Sequence, residues 1–143
     1  MVFHYLARAV ISAGSSIMVA RQIGAGHTFL PGGHIEFGEP ARKALRREIC
    51  EETGLSVEIG TFLGAVEGAF EQDGQAHAEI NLVFASHLPN ADANSVVKSN
   101  ENHLEFFWVP RAEVAAWNLL PIPMRALVRD HQCEAAFWGS TLE

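Results

Sequence analysis

The chain lacks what several function classes require. Its 143 residues include only two cysteines, one tyrosine and ten Lys plus Arg, against seventeen Asp plus Glu. Cys50 and Cys133 stand far apart, with no Cys-x-x-Cys spacing and no neighbouring His pair, which excludes a disulfide scaffold or structural zinc site and predicts reduced thiols. A formal net charge of −7 has the wrong sign for gripping nucleic acid through its phosphates, so no stable nucleic-acid binding is expected. No apolar run approaches the roughly 18 residues of a membrane span, and the N-terminal MVFHYLARAV lacks a signal-peptide layout. No membrane association and a cytoplasmic location are therefore expected. Internal repeats, low-complexity segments and linkers are missing too, which leaves one domain over residues 1–143. What is present is core material: 48% hydrophobic residues against 19% charged.

Residues 4–13 (HYLARAVISA) and 16–21 (SIMVAR) are strand-forming and flank Gly14-Ser15, which reads as a hairpin. Gln22 to Thr28 is a loop, and a short strand is expected at His34 to Phe37. Pro40 marks a first helical position, ARKALRREICEET continues the helix, and Gly54 caps its end. Ser56 to Phe70 and Ala76 to Leu88 are two long strands around Asp73-Gly74. Pro89 to Asn102 is a polar surface loop of a length more often functional than merely connecting. Leu104 to Val109 is a strand, Pro110 opens a short helix through Ala116, and a longer helix follows Pro121-Ile122-Pro123 to about His131. Residues 132–143 give no signal and read as a possible tail. The order β-β-β-α-β-β-β-α-α lacks the alternation of a doubly wound sheet and predicts a single α/β domain with a mixed sheet.

On a helical wheel at ~100° per residue, Ala41, Ala44, Leu45 and Ile49 fall together, opposite Arg42, Lys43, Arg46, Cys50 and Thr53. The first set predicts a buried stripe, the second a wet basic face. Glu48, Glu51 and Glu52 lie within or at the edge of the buried stripe and point the same way. Glutamates on a helix usually form a solvated face, but this angular position argues against that. Like charges at i, i+4 repel by roughly 0.2–0.5 kcal/mol even when exposed, so a cation should sit among them. Carboxylates without Cys or His at coordinating spacing suit Mg²⁺ or Mn²⁺ better than Zn²⁺. Such an ion can bridge acidic side chains to phosphates, reconciling an acidic chain with an anionic substrate.

Gly33, five residues, Glu39, seven residues and then Arg47-Glu48-Ile49-Cys50-Glu51-Glu52-Thr53-Gly54-Leu55 match every specified position of the Nudix box. Over residues 33–55 the chain resembles the Nudix hydrolase family, and its flanking strand order is similar to that fold. The resemblance implies a Nudix-like α/β/α sandwich. It implies a metal-dependent pyrophosphohydrolase that cleaves a nucleoside diphosphate linked to another moiety, a nucleoside triphosphate or a nucleotide sugar, by water attack at phosphorus. By the same resemblance Glu48, Glu51 and Glu52 bind the divalent cation, joined by the carbonyl of Gly32. Arg47 orients the helix carboxylates, and Glu39 supports the loop and a water at the metal. Glu105 resembles an additional glutamate outside the box that binds metal or serves as base in several members, and Glu101 lies close enough in sequence to take that role. Glu48 is the first choice for base and Glu105 the second, the alternative for Glu48 being a metal ligand only. Arg21 resembles a phosphate-contacting arginine. A small nucleotide is the implied partner, and a second copy of the chain is another, because family members are often homodimers. The competing reading is a non-catalytic nucleotide-binding or sensing module with the same fold; the retention of Glu39, Glu48, Glu51 and Glu52 argues against it.

Phe3, Tyr5, Phe70, Phe84, Phe106 and Trp117 are expected to be mostly core. The seven histidines are scattered and read as structural or surface groups. Glu79 interrupts an apolar strand, which fits either a cleft or a solvent-facing alternation.

Overall fold

Two strand-forming segments meeting at a glycine start the sheet: β1 (Val2–Ala13) and β2 (Ser16–Gln22) turn through Gly14, whose φ of +58° suits a residue without a Cβ. The computed structural model describes residues 1–130 and 135–143. β1 and β2 pair at the turn, Ser12 with Ile17 and Ala13 with Ser16. Further along, the neighbour of β1 is β3 (Gly32–His34), antiparallel to Leu6–Arg8. The expected strand at 34–37 thus lies earlier, on the glycine pair. A Cβ at Gly32 would collide with the Ala7 carbonyl, so the glycine is what permits the close approach to β1.

β4 (Glu58–Gln72) and β5 (Gln75–His87) form a long hairpin around Asp73-Gly74, both at positive φ. β5 runs parallel to β1, from Val2 opposite His77 to Ile11 opposite Ser86. β6 (Leu104–Pro110) lies antiparallel to β2. The seven-stranded mixed sheet has the order β6-β2-β1-β5-β4-β7, with β3 beside β1. Its last strand, β7 (Phe137–Ser140), corrects the reading of the terminal residues as a tail. Four residues carry too little pattern to signal a strand. Gly64 lets them in, since a Cβ there would strike the Phe137 backbone.

α1 (Ala41–Thr53) covers one face, packing Ala44, Leu45 and Ile49 against Ala7, Ala9, Ile11 and Met18. Pro40 is its extended N-cap rather than its first helical residue, and Gly54, at φ +74°, closes it through an N–H to the Cys50 carbonyl at 2.8 Å. α2 (Met124–Asp130) covers the other face with Met124, Leu127 and Val128, against Val10, Val19, Val66 and Val83. The result is a helix–sheet–helix sandwich. The expected end of α2 near His131 lies outside the described residues. The helix expected from Pro110 to Ala116 is only a 3₁₀ turn over Arg111–Glu113, because the chain then bends through Asn118 at φ +50°. Of the aromatics expected inside, Phe84 and Phe106 are buried, but Phe3, Tyr5, Phe70 and Trp117 are exposed. Phe3 and Tyr5 sit at the start of β1 and Phe70 near the tip of the β4–β5 hairpin, at strand ends rather than over the packed centre of the sheet. Among the described residues no helix is long and apolar enough to cross a membrane.

Candidate active site

Arg47 organises the acidic end of α1. Its Nε and Nη2 donate to the two oxygens of Glu39 at 2.8 Å each, and Nη2 also donates to the His34 carbonyl at 3.1 Å. Nη1 donates to Glu48 at 3.0 Å and to Glu51 at 3.4 Å. One planar fork therefore fastens the loop after β3 to the helix. Hydrogen bonding from Arg47 holds the Glu39 carboxyl at about 2, and the same pairing raises the Arg47 guanidinium. Arg46, one residue earlier, is exposed.

Gly33 forms the floor beneath Glu48: a Cβ there would lie 2.5 Å from its Cδ and Oε2. Gly33→Ala is expected to displace the Glu48 carboxylate, which can swing away, while the sheet has little reason to move. Activity should fall at least tenfold with a small change in Tm. A variant of parental activity would show that Glu48 is not needed in this place.

Exposure separates the three helix glutamates, which the wheel had pointing one way. The Glu51 side chain is 56% exposed and that of Glu48 18%. Thr53, expected on the wet face, is buried, its Oγ1 donating to the Ile49 carbonyl at 2.6 Å. In the last turn the intrahelical bond satisfies the hydroxyl and lets Thr53 join the packed side. Glu52 is the most confined of the three: its Oε2 is buried without a hydrogen-bond partner among the described residues. Burial pushes its carboxyl up to about 7, helped by Glu48, Glu101 and Glu51 and opposed by Arg8. Burial also raises Glu48, against the pull of Arg47. Among the described residues no three carboxylate, imidazole or thiol groups already converge as ligands; Glu48 and Glu51 lean instead toward Arg47.

The candidates outside the box are placed differently. Arg21 and Glu105 face each other across β2 and β6 and form an ion pair at 2.6 Å, with the guanidinium stacked 4.8 Å from the Phe107 ring. Glu101 instead belongs to a loop docked on the end of α1, where the Asn100 N–H donates to the Glu52 carbonyl at 2.7 Å and its side chain to the Glu51 carbonyl at 3.3 Å.

On the α2 side of the sheet lies a cavity of about 660 Å³, lined among others by Arg8, Phe29, Leu30, Phe70, Glu79 and Asn81. Glu79 thus faces a cleft. Three histidines meet beside Phe70: His4 bonds His34 through Nδ1 and His77 through Nε2, both at 2.8 Å, and Phe70 stacks 4.9 Å from His77. Burial, with His4 and Arg8 nearby, lowers the His34 imidazole. Positions 4, 34 and 77 look scattered in the chain, and pairing of β1 with β3 and β5 is what gathers them.

The profile of the NUDIX domain family matches residues 3–130. Human 8-oxo-dGDP phosphatase NUDT18 is 30% identical over 111 residues, 78% of this chain and 30% of its own length. Nucleoside triphosphatase NudI from Escherichia coli is 34% identical over 99 residues, 66% of this chain and 69% of its own. The crystal structure of the MutT protein from Methanosarcina mazei Go1 superimposes with a TM-score of 0.69 at 26% identity, covering 89% of this chain and 91% of that one. The chain spans about a third of the length of several curated relatives it matches. With the match enclosing both the sheet and the Arg47-centred acidic cluster, the chain belongs to the NUDIX domain family of hydrolases.

Proposed function

We propose that the chain hydrolyses a phosphoric anhydride bond of a small nucleotide, a nucleoside triphosphate or a nucleotide sugar, with the help of Mg²⁺ or Mn²⁺. The observation that carries this reading is the buried Oε2 of Glu52, unpartnered among the described residues and set in a crowd of carboxylates. A buried acceptor without a donor is costly, and further carboxylates around it add repulsion that only positive charge relieves. Oxygen donors without sulfur suit a hard divalent ion. Glu48, Glu51 and Glu52 would hold it, with the Gly32 carbonyl. When bound, the cation offsets charge on the phosphate oxygens and makes water a stronger acid.

The protein's own part is positioning and proton transfer. Arg47, gripped by Glu39, fixes the direction of Glu48. Glu48 takes a proton from the attacking water, a task favoured by the partial burial that raises its proton affinity. For the glutamate outside the box, the ion pair with Arg21 disfavours Glu105, and proximity to Glu52 favours Glu101. The names of the relatives, an 8-oxo-dGDP phosphatase and a nucleoside triphosphatase, make nucleoside di- and triphosphates the first substrates to try.

The test is phosphate and pyrophosphate release from a nucleotide panel, with Mg²⁺ and after exhaustive chelation, repeated in oxygen-18 water. Turnover that needs the cation and places the label on a phosphate product is expected. Undiminished turnover without metal, or label on a sugar carbon, would overturn the proposal. Tight binding of one nucleotide with no turnover would instead identify a sensing module.

A further inference from the structure

The cavity on the α2 side is lined by one cationic side chain of the central strand β1, Arg8. Alternation along β1 sends Ala7 and Ala9 into the α1-side core and Val10 to the opposite one, so Arg8 stands on the α2 side and lines the cavity. Its charge is nevertheless felt by Glu52 and Glu48. An arginine in the middle of a central strand, half-buried, needs a reason, since an apolar residue would cost nothing to place there.

Its partners are neutral. Nε donates to Asn81 Oδ1 and Nη1 to the Leu30 carbonyl, both at 3.2 Å, and the guanidinium lies 5.4 Å from the Phe29 ring centre. Among the described residues no carboxylate pairs with it directly. Asn81 is only 1% exposed, and its amide donates to the Val66 carbonyl at 3.2 Å, which fixes the oxygen it presents to Arg8. A guanidinium has five N–H donors; two are committed here, and the other three have no partner among the described residues. Arg21 makes the contrast, its charge already answered by Glu105.

We infer that Arg8 binds a phosphoryl group of the nucleotide, holding it in the cavity that the guanidinium lines. The inference rests on the proposed nucleotide hydrolysis and names a contact within it. A fixed fork with spare donors matches the oxygens of a phosphate in charge and geometry. Burial lowers the Arg8 guanidinium against the opposing influence of Glu79, Glu52 and Glu48, so an arriving anion supplies the counter-charge that the half-buried cation lacks.

The experiment uses the intact protein first. In protein labelled with ¹⁵N-arginine, magnesium pyrophosphate is expected to shift the Arg8 Nε resonance and leave that of Arg21 in place. Arg8→Gln and Arg8→Lys follow, with kcat and KM for a nucleotide that the parent hydrolyses and with Mn²⁺ affinity measured without nucleotide. The glutamine variant should raise KM tenfold or more and keep its Mn²⁺ affinity, and the lysine variant should recover part of the loss. An Arg8 resonance indifferent to pyrophosphate, or parental KM in the glutamine variant, overturns the inference, and Arg8 then serves only to hold Asn81 and Leu30. A parent that responds to pyrophosphate at Arg8 yet hydrolyses no nucleotide would overturn the proposed function and leave the phosphate contact standing.

Discussion

Arg47→Ala is expected to lower turnover by roughly 10- to 100-fold, the usual cost of losing a residue that orients metal ligands. Arg46→Ala should leave turnover near the parental value. The two positions are adjacent and chemically identical, so composition and net charge change equally. The difference lies in the partners: Arg47 spans Glu39, His34, Glu48 and Glu51, whereas Arg46 is exposed and makes no side-chain bond among the described residues. Removing Arg47 leaves Glu48 and Glu51 without the cation toward which they lean and frees the loop carrying Glu39. Steady-state kinetics of the two variants decide the matter, and equal damage from both would show that the helix faces are wrongly assigned.

Glu52→Gln should raise the stability of the metal-free protein at pH 8 and lower its stability when Mg²⁺ is present. The Glu52 carboxyl titrates at about 7 in the folded state against 4.5 ordinarily, with burial the main cause. Between those values the folded protein keeps a proton that the unfolded chain has released. Stability therefore falls as pH rises through this window, and the full penalty is present above about pH 7. Allowing for solvent around a partly exposed carboxyl, it is on the order of 1–2 kcal/mol. An amide cannot ionise, so the metal-free variant should melt a few degrees higher at pH 8 and close to the parent near pH 4.5. With excess Mg²⁺ the order reverses, because an ion that binds only the folded state stabilises it by mass action and the variant has lost a ligand. Thermal melts at both pH values, with and without Mg²⁺, provide the check. A variant that melts lower without metal at pH 8 and keeps the full Mg²⁺-induced shift would make Glu52 a structural residue.

The α1 segment was the most legible part of the chain because several local rules agree there. The periodicity of Ala44, Leu45 and Ile49, a proline before the first turn and a glycine after the last all describe the same helix. Thr53 shows the limit of a wheel, which knows angles but not the hydrogen bond to Ile49 that lets a hydroxyl turn inward. The box resemblance marks Glu39 and Arg47 separately, one for the loop and one for the helix carboxylates; that the two bond each other twice at 2.8 Å is seen only in the structure. Contacts made by distant pairing left no such trace. Arg8 meets Asn81 only because β1 and β5 run parallel, and the histidine chain depends on the same register. Glu101 and Glu105 are four residues apart and indistinguishable by composition. What separates them is that Asn100 is tied to the end of α1 while β6 carries Glu105 across to Arg21.

That tie bears on how the protein can change. Asn100 is pinned to Glu52 and Glu51, the His103 carbonyl accepts from the Ile23 N–H, and Val97 bridges to Phe106. Upstream of these pins, the hydrogen bonds of Ala91, Asn94 and Ser95 run only to Leu88 and Asp92. Residues 89–96 therefore hang between two fastened ends. A loop of this kind costs only about 0.6 kcal/mol more for each doubling in length. Insertions and deletions there can be absorbed while the acidic end of the helix stays in register, so this stretch is free to change length and sequence without rebuilding the carboxylate cluster.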